Sequence, residues 1–231
     1  MCLVLIGLAR GLRYPSPSRA KASGAKPGQT LKVLRDPLCL VFSAGAMLYV
    51  GVEAAVYVWM PTWLAAYHGA LTWLCAYALT AFFVLRAAGR FLGAVLLARL
   101  RWTTVLTVAS AAVFACFAAA LVGGVDVAVI TLPASGLFMS VIYPTLNSKG
   151  ISCFAKAEHG AAGGIILFFT CTSAVFAPLA MGLIDDRTGH PASGFGLATG
   201  LALLLFIGLA VSAWRDPSAK RLGERDVSEY V

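Results

Sequence analysis

An all-α membrane protein with six transmembrane helices is the fold class that this sequence predicts, and three observations carry that reading. Of its 231 residues, 60% are hydrophobic and 12% charged, against about 25% charged in an ordinary soluble domain; the mean hydropathy is +0.84. Apolar stretches recur at the roughly 20-residue length that crosses a bilayer core, without the polar face a soluble helix needs. The Lys and Arg residues behind the net charge of +8 gather in short loops on alternate sides of successive stretches, as the excess in cytoplasmic loops does. That distribution argues against a nucleic-acid surface, which would concentrate charge on one soluble face.

Met1 to Ala9 is apolar but too short to span, and reads as the stub of a preceding helix (1–9). Residues 10–35 carry Arg10, Arg13, Arg19, Lys21, Lys26, Lys32 and Arg35 among Pro, Ser and Gly, and read as a basic cytoplasmic linker. The transmembrane domain is expected over 36–214. Its first span, 37–66, starts at Asp36-Pro37, with a kink expected at Pro61 and interface aromatics in Trp59, Trp63 and Tyr67. The second, about 71–98, ends in a basic patch of Arg86, Arg90, Arg99 and Arg101. The third covers about 103–122. A Gly123-Gly124 turn leads to the fourth, about 127–148, which contains Pro133 and Pro144. A loop with Lys149, Lys156, Glu158 and His159 precedes the fifth, about 161–184. The loop Asp185 to Pro191 separates that from the sixth, about 192–214, and 215–231 is a polar cytoplasmic tail. The basic segments put the linker and the C terminus inside; the intervening loops carry only Arg187. A bacterial inner membrane is the expected location.

Six spans in two triplets suggest a 3+3 inverted repeat, in which broken helices at matching positions line a midplane site. The first and fourth spans suit that role, since each begins a triplet and carries proline and polar groups.

Glu53 is the acidic residue deepest in a span, about 24 Å along its helix from Pro37 at a rise of about 1.5 Å per residue. An ionisable group at such depth is expensive and marks a functional site by default; the other reading is a structural carboxylate paired with a neighbour. Tyr49, Glu53 and Tyr57 fall at i, i+4 and i+8 on one face, with Gly45 above them. Such a stripe suits a polyhydroxylated ligand, because tyrosine rings pack on a sugar's C–H face while hydroxyl and carboxylate oxygens take its hydrogen bonds. Interface anchoring is the alternative for Tyr57. On the fourth span Gly136, Ser140, Tyr143 and Asn147 make a second polar stripe, interrupted by Pro144; close helix packing is the alternative for Gly136 and Ser140.

Arg86 and Arg90 are placed towards the cytoplasmic end of the second span, where long side chains can snorkel. Arg90 reads as structural, and the deeper Arg86 as structural or facing an aqueous cavity. Gly89-x-x-x-Gly93 and Gly160-x-x-Gly163-Gly164 suit close helix contact. The six cysteines are scattered singly, with no metal-ligand spacing to a histidine, so neither a disulfide framework, a metal nor a cofactor is expected. No nucleophile, zinc or phosphate-loop motif points to an enzyme.

Four segments resemble the C-terminal half of the major facilitator superfamily, in particular its fucose:proton symporter branch of sugar transporters. Tyr49-Val50-Gly51-Val52-Glu53 resembles that branch's Tyr-x-Gly-x-Glu in helix seven, and Gly89-Arg90-Phe91-Leu92-Gly93 the end of helix eight. Gly136 through Thr145 is similar to the helix-ten signature, and Pro178 through Gly182 with Asp185 to Gly189 to the end of helix eleven. The resemblance covers nearly the whole chain. It implies half of a major facilitator fold, secondary transport of a sugar with proton coupling, and substrate contacts at Tyr49, Glu53, Tyr57, Ser140, Tyr143 and Asn147. It also implies that a partner supplies the other wall of the pathway, either an N-terminal transporter half or a second copy. Two alternatives stand beside this: a truncated or non-transporting fragment acting as an interaction subunit, and a transporter half for another solute such as a drug.

Overall fold

The computed structural model describes residues 27–228. The expected stub at 1–9, the linker up to residue 26 and the last three residues of the tail lie outside the described residues. Among the described residues nine α-helices follow in order: α1 (Pro27–Leu34), α2 (Pro37–Leu64), α3 (Thr72–Ala76), α4 (Ala78–Arg99), α5 (Trp102–Met139), α6 (Ile142–Ser152), α7 (His159–Thr188), α8 (Pro191–Arg215) and α9 (Ala219–Ser228). A 3-10 turn at Lys156–Glu158 precedes α7.

Among the described residues, five helical segments are long and apolar enough to cross a membrane: Pro37–Leu64, Ala78–Arg99, Trp102–Ser152, Lys156–Thr188 and Ala192–Arg215. The third has 51 residues, about 76 Å if straight, far more than the roughly 30 Å of a hydrocarbon core. It is not straight. Gly124 sits at φ 67, ψ −160, a conformation that is costly for any residue with a Cβ, and it breaks α5 where the sequence predicts a turn. A second interruption falls at Ser140 and Val141, between α5 and α6. Pro144 explains it: the ring has no N–H to donate and clashes with the carbonyl four residues back, which is that of Ser140.

Elsewhere the helix limits differ from expectation for local reasons. The second span starts at Ala78, because 72–76 forms the separate short α3. Pro61 lies inside an uninterrupted α2. The fifth span continues to Thr188 and closes on Gly189 in the left-handed region (φ 72), so most of the expected 185–191 loop is helix. The polar tail carries α9, and residues 27–34 of the expected linker fold as α1.

Helix α2 is the centre of the packing, lying along α7 and α8, with α6 against it, while α4 packs chiefly on α5. Glycine sets the α4–α5 distance: a Cβ on Gly89 would lie 2.2 Å from the Leu137 carbonyl oxygen, and one on Gly136 2.4 Å from that of Phe82. The start of α2 is held by Asp36, which accepts from Leu38 N–H at 2.9 Å and from the Arg221 guanidinium of α9 at 2.7 Å. Beside this pair the buried Cys153 has its thiol pushed up to about 11, mainly by burial, with Asp36 adding and Arg221 and Lys149 opposing. At the opposite end Asp185 accepts from the Trp59 indole N–H and, at 2.5 Å, from Gly194 N–H in the first turn of α8. A carboxylate there satisfies an amide that helix geometry leaves free and meets the positive end of the helix dipole.

Candidate functional site

Helical spacing on α2 brings Tyr49, Glu53 and Tyr57 to one face, and the structure joins all three. Tyr57 donates its hydroxyl hydrogen to Glu53 Oε1 at 2.8 Å, and the Tyr49 hydroxyl lies 3.4 Å from the same oxygen. Tyr49 is fully buried and donates at 3.0 Å to the carbonyl of Met139, the last residue of α5 before the break. Its ring stacks on Tyr143 of α6, centroids 5.9 Å apart. The interruption before Pro144 therefore supplies an acceptor carbonyl and turns α6 so that Tyr143 reaches the α2 stripe.

From α4, the Arg86 guanidinium forms an ion pair with Glu53 and donates to the Tyr57 hydroxyl at 3.0 Å. The two charged side chains are only 13% and 15% exposed, so water screens them little and each depends on the other. Arg86 also lies 5.8 Å from the Phe82 ring centroid, and Tyr57 packs edge-on to Phe82 and flat on Phe83. Arg86 thus belongs to the polar cluster and not to a cytoplasmic rim. With α4 starting at Ala78, Arg86 is about 12 Å along it and Arg90 about 18 Å, near the middle of the span.

The Glu53–Arg86–Tyr57 bridge stands between two small cavities. One, about 210 Å³, is lined by Val50, Glu53, Tyr143, Thr170, Cys171 and Ala174. The other, about 310 Å³, is lined by Tyr57, Phe83, Arg86, Ala87 and Arg90. A larger cleft of about 500 Å³ between α2 and α8 is lined by apolar groups such as Val41, Leu48, Leu205 and Leu209. Its lining does not include Glu53 or its partners, and its polar side chains are Ser212 and Arg215.

The second expected stripe is only partly assembled. Tyr143 is half-buried at the first cavity, with no hydrogen-bond partner for its hydroxyl among the described residues. Asn147 follows one turn later on α6, half-buried and likewise without a partner. Ser140 is buried at the α4–α5 contact, where it donates to the Leu137 carbonyl at 2.8 Å and sits against Gly89. Gly136 packs on Phe82 in the same contact. Neither lines the two cavities beside Glu53; Ser140 lines a separate, apolar cavity of about 220 Å³ at the α4–α5 contact. Sequence reasoning missed the wall contributed by α7: Thr170 and Cys171 line the first cavity, and Ser173 donates to the Met47 carbonyl of α2 at 2.7 Å. The run Thr170-Cys171-Thr172-Ser173 was the available signal, four small polar residues in an otherwise apolar span.

No family model matches the sequence, and no curated protein matches it. A solved structure does: the crystal structure of the E. coli fucose:proton symporter superposes with a TM-score of 0.75 at 21% sequence identity, over 90% of this chain and 52% of that one. The chain spans about half the length of that transporter. It has the fold of about half of that transporter.

Proposed function

We propose that the chain is the C-terminal half of a secondary active transporter for a small polar solute of the sugar class, and contributes one wall of an aqueous pathway. The observation that carries this reading is the Glu53–Arg86 ion pair, bridged by tyrosine and flanked by two cavities within membrane-spanning helices. Charged groups at such depth are expensive and persist where they face a pathway or one another. The fold-level likeness to a sugar symporter supports the same reading without naming the solute.

In this account the chain crosses the membrane six times, because the break at Gly124 divides the 51-residue segment into two crossings. Spans one to three and four to six form the 3+3 inverted repeat. The linker and C terminus lie on the cytoplasmic side of a bacterial inner membrane. The other wall comes from an N-terminal transporter half or a second copy. Tyr57, Tyr143 and Asn147 contact substrate, Glu53 and Tyr49 shape the polar centre, and Ser140 sets helix packing rather than touching the solute.

Glu53 is also the group through which a proton would act. The groups that face it are Tyr49 and Tyr57 of α2, Arg86 of α4, Tyr143 of α6, and Thr170 and Cys171 of α7. A proton on Glu53 removes the charge that holds Arg86 and frees the guanidinium to move into the adjoining cavity, which links protonation to the shape of the site. The test is uptake of radiolabelled fucose, galactose, glucose and glucuronate in transport-deficient cells, with the chain alone and with the N-terminal half of a related transporter co-expressed. Uptake on co-expression, altered in pH dependence by Glu53→Gln, is the expected result. Membrane-inserted protein with no uptake in either setting would overturn the proposal in favour of a non-transporting fragment.

A further inference from the structure

Among the described residues Arg90 has no counter-charge. Three ion pairs occur among the described residues, Glu53 with Arg86, Asp216 with Arg101 and Asp36 with Arg221, and Arg90 has neither an ion-pair nor a hydrogen-bond partner there. Yet it is exposed and near the middle of α4, about 14 Å short of Arg99 at the cytoplasmic end. Snorkelling does not resolve this. Side chains on a helix lean towards its N-terminus, which on α4 is the end away from Arg99 and Arg101, so Arg90 leans towards the depth of Arg86.

The faces of α4 separate cleanly at about 3.6 residues per turn. Val84, Ala88, Phe91, Leu92 and Val95 form one exposed apolar face that suits lipid. Gly89 and Gly93 face the end of α5 and the interruption after it, at Leu137, Ser140 and Val141. Phe83, Arg86, Ala87 and Arg90 form the remaining face, which lines the cavity of about 310 Å³ with Tyr57. Local charge there is Glu53 against Arg86 and Arg90, an excess of one positive charge. Beside the two guanidiniums lies an aromatic platform, Tyr57 stacked on Phe83 at 5.8 Å and 15°. A planar guanidinium takes a carboxylate through two parallel hydrogen bonds, and an aromatic face takes the C–H face of a sugar ring.

We propose that the Arg86–Arg90 face of α4 binds the carboxylate of a small polyhydroxylated acid at Arg90, so that the solute is an anionic sugar acid and not a neutral sugar. This rests on the transport reading above and narrows its substrate class. The ring stacks on the exposed face of Phe83, which Tyr57 backs, the carboxylate pairs with Arg90, and the Glu53–Arg86 pair stays intact at the back of the site.

The test uses the full chain in zwitterionic nanodiscs and reads binding by saturation-transfer NMR titration with D-glucuronate, its neutral methyl ester and D-glucose. The acid should bind at least about tenfold more tightly than the ester, as a charge-assisted pair requires. Arg90→Gln should abolish the difference, and Arg90→Lys should restore part of it. Because Arg90 is exposed, both variants should keep the thermal stability of the parent; Ala87→Phe, which fills the cavity, should weaken all three ligands together. Equal binding of acid and ester, or an acid preference that survives Arg90→Gln, would overturn this inference and leave the sugar reading standing. No binding of any of the three would overturn both. Loss of the acid preference when the complementary transporter half is co-reconstituted would overturn it too, by assigning the partner of Arg90 to a protein carboxylate.

Discussion

Glu53→Gln should destabilise the protein far more than its small change in shape suggests. The glutamine is nearly isosteric, but it leaves the Arg86 guanidinium, 13% exposed, without a counter-charge inside a membrane-spanning helix bundle. Removing one partner of a buried pair costs about 3–5 kcal/mol. That value needs little reduction for solvent here, since Glu53 is itself only 15% exposed. Arg86→Met leaves Glu53 with the tyrosine hydroxyls as donors, at 2.8 and 3.4 Å, and should cost somewhat less. The double variant removes both charges together, so it should be more stable than the sum of the single losses implies, with a coupling near the top of the roughly 0.5–3 kcal/mol range for contacting residues. Reversible unfolding in mixed detergent micelles measures all four corners of the cycle. A coupling below about 0.5 kcal/mol would refute the claim that the two charges depend on each other.

Three further outcomes follow from the packing. Gly89→Ala pushes a methyl group against the Leu137 carbonyl, 2.2 Å away, and should cost about 1–3 kcal/mol; an unchanged melting temperature would contradict the close α4–α5 contact. Asp185→Asn weakens the hold on the α8 N-terminus and on the Trp59 indole, and should cost about 1 kcal/mol, with a shift in tryptophan fluorescence. Cys153, its thiol raised to about 11 mainly by burial, stays protonated at pH 7 to 9. In a variant retaining only this cysteine, maleimide labelling should be slow at pH 7.5 and climb about tenfold per pH unit up to about pH 11; a rate that levels off near pH 9 would mean the thiol is not buried.

Much of the architecture was legible because the bilayer permits few solutions. With no water to satisfy backbone groups, long apolar segments become helices, so α2, α4, α7 and α8 start or end within a few residues of the expected limits. Gly123-Gly124 was readable as a break because glycine admits the φ of 67 that Gly124 takes. The interruption at Ser140 was harder to place. Pro144 signals it, but the lost hydrogen bond lies four residues earlier, and that offset carries Ser140 into the α4 contact while bringing Tyr143 onto Tyr49. The α2 stripe could be read because i, i+4 spacing is local. The Arg86–Glu53 pair could not, since 33 positions separate the partners and only the start of α4 at Ala78 puts Arg86 at the depth of Glu53. The α7 wall went unread for a similar reason: Thr170 and Cys171 matter through their distance to Glu53 rather than through spacing of their own.

The central claim is that the faces beside the Glu53–Arg86 bridge front water, while the far face of α4 fronts lipid. Single cysteines in a cysteine-free chain test it directly: Ala87→Cys and Ala174→Cys, lining the two cavities, against Val95→Cys on the exposed apolar face. With the chain in membranes, a charged, water-borne methanethiosulfonate reagent should modify positions 87 and 174 readily and position 95 hardly at all. Modification of position 95 as fast as the other two, or protection of all three, would contradict an aqueous pathway along this face.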